Sequence, residues 1–340
     1  MTGSDGMEER KRRQALSRIE ILRLPTVKVE RSGQIDRPDG DFEMVTASIT
    51  AAGEIVTVWA QSAEVSVFES STTQPGGATF PDSRTTTSAG ALVTVHGSRA
   101  RIATRIAALP VAYPLVQLLP HGRVIIVGAR CNWTQAGAEH NAFVYDREGH
   151  LLVQTTLGDG IQHLRATPEG DVWVGYFDEG VFGSNGWGGP GPDPIGAAGI
   201  VRFSSDLEMG WEYPSGPGGP GSVDDCYALN IDGETVWACY YSDFPIVRIQ
   251  NDSVQAWTND VSGAKAIAVR SDLVWLAGGY RAERDRLVAG RLGRHRLAVQ
   301  SVSRIVLPDG SDLPDTAVIM GAGSRLHVVH ERDWYVLDVR

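Results

Sequence analysis

Cysteine is scarce in this chain, with only Cys131, Cys226 and Cys239 among 340 residues. An odd number without CxxC spacing speaks against a disulfide framework and against a zinc site built on thiolates. Positive charge is in deficit too: 31 Lys and Arg stand against 41 Asp and Glu, a formal net charge of −10. Nucleic-acid binding wants a basic footprint, so no nucleic-acid partner is expected. No apolar run approaches the length of a membrane span. The first residues, MTGSDGMEERKRRQALS, have no apolar segment behind their basic residues, as a secretory signal would require. The sequence therefore reads as cytoplasmic, with no membrane partner. GxSxG, HExxH, Walker and EF-hand signatures are missing, which disfavours the familiar nucleophilic enzymes. The GPGGPG stretch at 216–221 resembles a phosphate loop only superficially, because it does not sit between a parallel strand and a helix.

What is present is glycine (39) and proline (17), in a chain that is 42% hydrophobic and 21% charged, a globular composition with many turns. One pattern recurs six times: a turn residue, then an apolar run containing a bulky residue. The copies are GEIVTVWA from Gly53, GRVIIVGA from Gly122, GDVWVGYF from Gly170, GETVWACY from Gly233, SDLVWLAG from Ser271 and SRLHVVHE from Ser324. They lie roughly 40–70 residues apart, the spacing of a repeat architecture. Further apolar runs flank each copy, such as IQHLRA before GDVWVGYF and CYALNI before GETVWACY. The second of these is joined by Asp232-Gly233, a strong hairpin signal. Short runs rich in Val, Ile, Tyr and Trp, split by glycine turns, fit strands and not helices. Each unit thus reads as four antiparallel strands, A to D.

Six such units imply an all-β fold, a β-propeller of six four-stranded antiparallel blades packed radially. Seven blades follow only if the irregular stretch between Ala60 and Ala91 hides another unit. Trp173, Trp237, Trp275 and His327 fall at blade-core positions, where a satisfied structural role is expected. The last unit runs out of sequence after three strands, while SRIEILRL at 17–24 is unassigned. Residues 17–31 are therefore expected to supply the closing strand of the last blade, since an open ring would expose sheet edges. Residues 1–16, including EERKRR, read as a flexible tail, and 17–340 as one propeller domain. The chain resembles the β-propeller superfamily as a whole, over most of residues 40–340. DVWVGYFDEG at 171–180 resembles the inner strands of sensor and lactonase-like propellers. WD-repeat and kelch signatures are absent, so no family's functional residues carry over.

Strand alternation puts the long B–C and D–A connections on one face, where binding residues usually gather. That face offers Arg130, Trp133, Asp178, Glu179, Trp187, Tyr241, Asp243 and Arg281 from B–C loops, and Asp159, His163, Asp224 and Asp225 from D–A connections. Trp133 and Trp187 sit in long loops and are candidates for stacking on a ligand. Asp178, Glu179, Asp224 and Asp243 are candidate ligands of a divalent cation such as calcium, or turn formers. His163 is a candidate general base. The Gly- and Pro-rich insert 182–199 reads either as a lid or as a packed Ω-like loop, and the Ser/Thr-rich stretch 70–90 as a flexible loop. Two functions stay open. One is a binding propeller for a small molecule or protein on the long-loop face. The other, after the lactonase-like resemblance, is a metal-assisted hydrolase or lyase in which the cation polarises a carbonyl and His163 moves the proton.

Overall fold

Six antiparallel four-strand ladders follow one another along the chain, each ordered from an inner strand A to an outer strand D. The inner strands are Phe42–Ile49, Pro114–Leu118, Ile161–Ala166, Asp225–Asp232, Ala266–Arg270 and Val318–Ala322. Each touches the next and the sixth returns to the first, which closes a six-bladed β-propeller. The computed structural model describes residues 14–97, 102–216 and 220–339. Among the described residues no helix is long and apolar enough to cross a membrane.

The six repeated segments are the B strands. Val124–Gly128 and Val172–Tyr176 are buried along their whole length. A B strand is covered on both faces by neighbouring blades, so it reads as a continuous apolar run rather than an alternating one. Each Val or Ile fully buried this way contributes about 1.5–3 kcal/mol, so a polar residue there must be bonded. Thr57 meets that condition: its hydroxyl is 2.8 Å from Thr94 Oγ1 and accepts from Trp59 Nε1 at 2.8 Å. The repeat tryptophan Trp173 is buried between blades three and four, against Trp211 and Ile231.

Residues 17–24 do not form the expected strand. Residues 14–22 are helical, and the carbonyl of Pro25 then leads into Thr26–Lys28, a fifth strand running parallel to the outer strand of blade five. The closing strand is Glu30–Gln34, which pairs antiparallel with Asp333–Asp338 of blade six. The segment around SRIEILRL is rich in Leu, Arg and Glu, residues with good helix propensity, and its apolar residues fit either element: Ile19/Leu22 and Ile21/Leu24 at helical spacing, Ile19/Ile21 and Leu22/Leu24 at strand spacing. Pro25 ends the helix. The tail expectation for residues 1–16 lies largely outside the described residues.

The irregular stretch after Ala60 holds no seventh blade. It contains a 3-10 turn at Ser62–Glu69 that buries Phe68, a small hairpin of Ser71–Thr73 with Thr79–Pro81, and the start of the 13-residue strand Arg84–His96. Residues 84–90, expected as flexible loop, belong to that strand.

Two amides close one end of the central channel. Gln117 Nε2 lies 2.7 Å from Ser48 Oγ, 2.9 Å from Ile49 O and 3.2 Å from Leu164 O, tying blades one, two and three. Asn230 Nδ2 donates to Ile267 O at 2.9 Å and Gly323 O at 2.8 Å, tying blades four, five and six. A Cβ at Gly321 would stand 2.0 Å from Ile267 O, so only glycine lets the strands meet there.

Candidate functional site

Above this floor, strands and loops of all six blades surround a well of about 550 Å³. Its mouth lies on the long-loop face, where Gln162, Lys265, Thr316 and Glu331 line it. Its depth reaches Ser48 and Arg165, near the far ends of their strands.

Arg165 is 9% exposed. Nη1 donates to Ser48 Oγ at 3.3 Å and to Leu164 O at 3.1 Å, while Nε has no partner. No carboxylate among the described residues pairs with this guanidinium. Burial lowers its pKa to about 10, so it is still charged at neutral pH. His163, the preceding residue but one, also lines the well, and its buried Nε2 has no partner. Burial first, and the Arg165 charge second, push His163 down to about 3. The ring is therefore neutral near pH 7 and far too weak a base for the proton transfer expected of it.

The mouth is aromatic on the side of blades four and five. Lys265 Nζ stands 4.1 Å above the Tyr227 ring, and the hydroxyls of Tyr227 and Tyr280 are 3.1 Å apart. Phe244 packs between Tyr227 and Tyr241, each with ring centroids 5.6 Å away. Asp225 is the carboxyl influenced by Lys265. Burial raises its pKa to about 6, with Lys265 opposing and Asp178 adding to the rise.

The acids of the expected cation set go elsewhere. Arg130 takes two of the neighbouring carboxylates, Asp159 at 3.1 Å and Glu179 at 2.5 Å, and lies over the Phe177 ring. Asp159 also accepts from Cys131 N at 2.8 Å and from Asn185 Nδ2. Its carboxyl is raised by burial even against that support. Asp178 is exposed and accepts from Glu179 N at the start of the short helix Asp178–Phe182. Asp224 accepts from Ser222 and Ser242, both at 2.9 Å. Asp243 and Arg281 are exposed residues with positive φ. Among the described residues no three of His, Cys, Asp and Glu come together to hold a metal ion.

The insert 182–199 is packed. Trp187 is 7% exposed and donates its indole N–H to Cys131 O at 2.9 Å, so its ring is not free to stack on a ligand. Trp133 N donates to Asn185 O at 2.8 Å, and the Trp133 ring lies against Gly191. Gly160 and Gly180 let the loops touch, because a Cβ on Gly160 would sit 2.3 Å from Gly180 N. The Ω-like alternative therefore describes this insert.

Sequence reasoning passed over Arg165, Lys265, Tyr227, Gln117 and Ser48. The signal was available. The inner strands of the first three blades carry Ser48, Gln117 and Arg165 among their apolar residues, and a buried polar residue must face either the channel or a partner.

A family profile described as the YxzG family matches residues 219–284, which cover blade four and part of blade five. No curated protein matches the chain. Among solved structures, the chain is similar to apo AztD from Citrobacter koseri, at 10% identity and a TM-score of 0.38 over 90% of this chain and 83% of that one. It is also similar to regucalcin, a calcium-binding protein from Agrobacterium tumefaciens, at 12% identity and a TM-score of 0.41 over 93% and 95%. A third likeness is to the extracellular domain of a putative one-component system from B. thetaiotaomicron, at 10% and 0.40 over 93% of this chain and 42% of that one. None of these likenesses bears on the chemistry of the well.

Proposed function

We propose that this protein is a ligand-binding β-propeller that holds a small molecule in its central well, entered from the long-loop face. The observation that supports it is the well itself: about 550 Å³, lined by every blade, with Gln117 bonded to the lining residue Ser48. Small-molecule sites are typically concave, about 300–1,000 Å³, with apolar walls and few polar groups. Met44, Leu115, Val318 and Ile319 supply such walls here, and Arg165, Gln162 and Lys265 the polar groups. The metal-assisted hydrolase finds less support. Of its acids, Glu179 is bonded to Arg130 and Asp224 to serines, no three come together among the described residues, and His163 lacks the basicity the step needs.

The test uses Val318, whose side chain is exposed within the well, so a larger residue there obstructs the cavity without entering the core. Saturation-transfer NMR with a panel of carboxylates, sugars, amines and nucleosides should detect at least one class bound to the wild type. Val318→Trp should abolish that signal and keep the wild-type unfolding midpoint. Signals that survive Val318→Trp, or a panel in which no class binds, would reject the reading.

A further inference from the structure

Beside the well lies a second cavity of about 560 Å³, between the long-loop ends of blades one, two and three. Val45, Thr46, Leu115 and Gln162 line both, so the two form one continuous groove. Resting on the binding reading above, we propose that this groove takes an amphipathic organic anion. Its acid head group sits on Arg165 deep in the well, with Lys265 at the mouth adding to the attraction, and its apolar body crosses Leu115 and Val45 into the cleft walled by Phe68, Pro114 and Phe177.

The distribution of unpaired charge sets the direction. The cleft has a cation of its own, Arg130, but Asp159 and Glu179 already neutralise it. Glu69 also borders the cleft and would repel an acid placed there. The well holds the opposite arrangement. Arg165 is buried and charged, with Nε unbonded and no carboxylate partner among the described residues. A buried charge left unpaired is costly, and an anion bound beside it removes that cost. Lys265 makes no ion pair among the described residues and stands over the Tyr227 ring. The acids near the well are Asp225, half-buried and set against Lys265, Asp178, which acts on Asp225 and Tyr227 at the mouth, and Glu331, exposed at the rim. An acid head group is therefore favoured deep in the well, beneath Glu331, where Arg165 lies.

Walls set the other half of the ligand. Phe68, Pro81, Pro114, Ile161 and Phe177 give the cleft an apolar lining. A bare inorganic anion would leave that surface wet, whereas an aliphatic or aromatic body would bury it.

Isothermal titration calorimetry on the full chain, with octanoate, octyl phosphate, octanol and acetate, tests the proposal. Octanoate and octyl phosphate should each bind the wild type at least tenfold more tightly than octanol or acetate. Whichever of the two is tighter identifies the head group as carboxylate or phosphate. Arg165→Met and, separately, the exposed Lys265→Met should each weaken octanoate at least fivefold and leave octanol unchanged. Octanol as tight as octanoate would overturn the anionic head group, and acetate as tight as octanoate would overturn the apolar body. Failure of all four probes would overturn the ligand class. In each of these cases the binding reading is judged separately, by the wider panel and Val318→Trp. If Arg165→Met does not fold, the Lys265→Met result and the comparison of four probes on the wild type still decide.

Discussion

Asn230 and Gly323, 93 residues apart, exchange two hydrogen bonds across the floor of the channel. Asn230 Nδ2 donates to Gly323 O and Gly323 N donates to Asn230 Oδ1, both at 2.8 Å. The Asn230 side chain is fully buried and also reaches Ile267 O. Gly323 keeps other backbone partners, Ile231 O for its N–H and Val269 N–H for its carbonyl, so Asn230→Ala removes three side-chain hydrogen bonds without stripping either Gly323 group bare. A loss of about 1–3 kcal/mol is expected for the lost bonds among buried groups. Urea unfolding checks it, and Asn230→Asp, which keeps the shape and loses the donor, should fall on the same side.

His327 predicts a pH effect. Its ring is buried against Trp334, whose indole N–H donates to His327 Nδ1 at 3.1 Å, and Nε2 has no partner. Burial lowers its pKa to about 4. Between that value and the ordinary histidine value near 6.5 the unfolded chain binds more protons than the folded one. Stability therefore rises with pH across this window and is lost as pH falls from about 6.5 toward 4, by up to about 3 kcal/mol. His163 acts in the same direction. Asp225, raised to about 6, acts in the opposite one. Comparing wild type with His327→Gln at pH 7 and pH 4.5 isolates the one contribution. The variant should show the smaller difference between the two pH values.

Arg130→Ala should be costly for a different reason. It leaves the buried Asp159 carboxylate, 3% exposed, without its cation. Removing one partner of a buried pair typically costs about 3–5 kcal/mol. Adding Asp159→Asn should recover part of that loss, because the uncompensated charge is gone. Hydrogen exchange should show faster exchange across the helix Asp178–Phe182 and the 182–199 insert for Arg130→Ala, since Glu179 and Asn185 share the same network. An unchanged insert would mean that Arg130 does not organise the loop.

The N-terminal segment offers a graded test. Arg18 meets the buried carboxylate of Asp285 at 2.5 Å, so deleting residues 1–24 should cost about 3 kcal/mol while the ring stays closed. Deleting residues 1–34 also removes Glu30–Gln34 and leaves Asp333–Asp338 as a bare edge. The first truncation should elute as a folded species of unchanged association state. The second should aggregate, as exposed sheet edges do.

Much of the fold was legible in the sequence because strand B of every blade is buried on both faces. A fully buried strand tolerates only a short apolar run, and GRVIIVGA or GDVWVGYF shows it without any partner in view. Glycine turns such as Asp232-Gly233 placed the hairpins for the same local reason. The segment at 17–24 was ambiguous because its leucines and isoleucines satisfy a helix stripe and a strand alike. Pairing with blade five, and Pro25, settled what local pattern left open.

The candidate site was legible only as a face, not as a set of residues. The loop acids are candidates for one cation site by sequence, yet Asp159 and Glu179 meet on Arg130 and Asp224 is held by serines. Which carboxylate meets which cation depends on contacts between loops that the sequence separates by tens of residues. The sequence by itself determined the repeating apolar strands, and with them the blades, because burial on both faces is a local demand on composition. Only the tertiary structure decided that Arg165 would lie in the channel with no acid beside it. A side chain's electrostatic partners are set by distance in space, and a ring closed by residues 30–34 brings the first, third and sixth blades around one well.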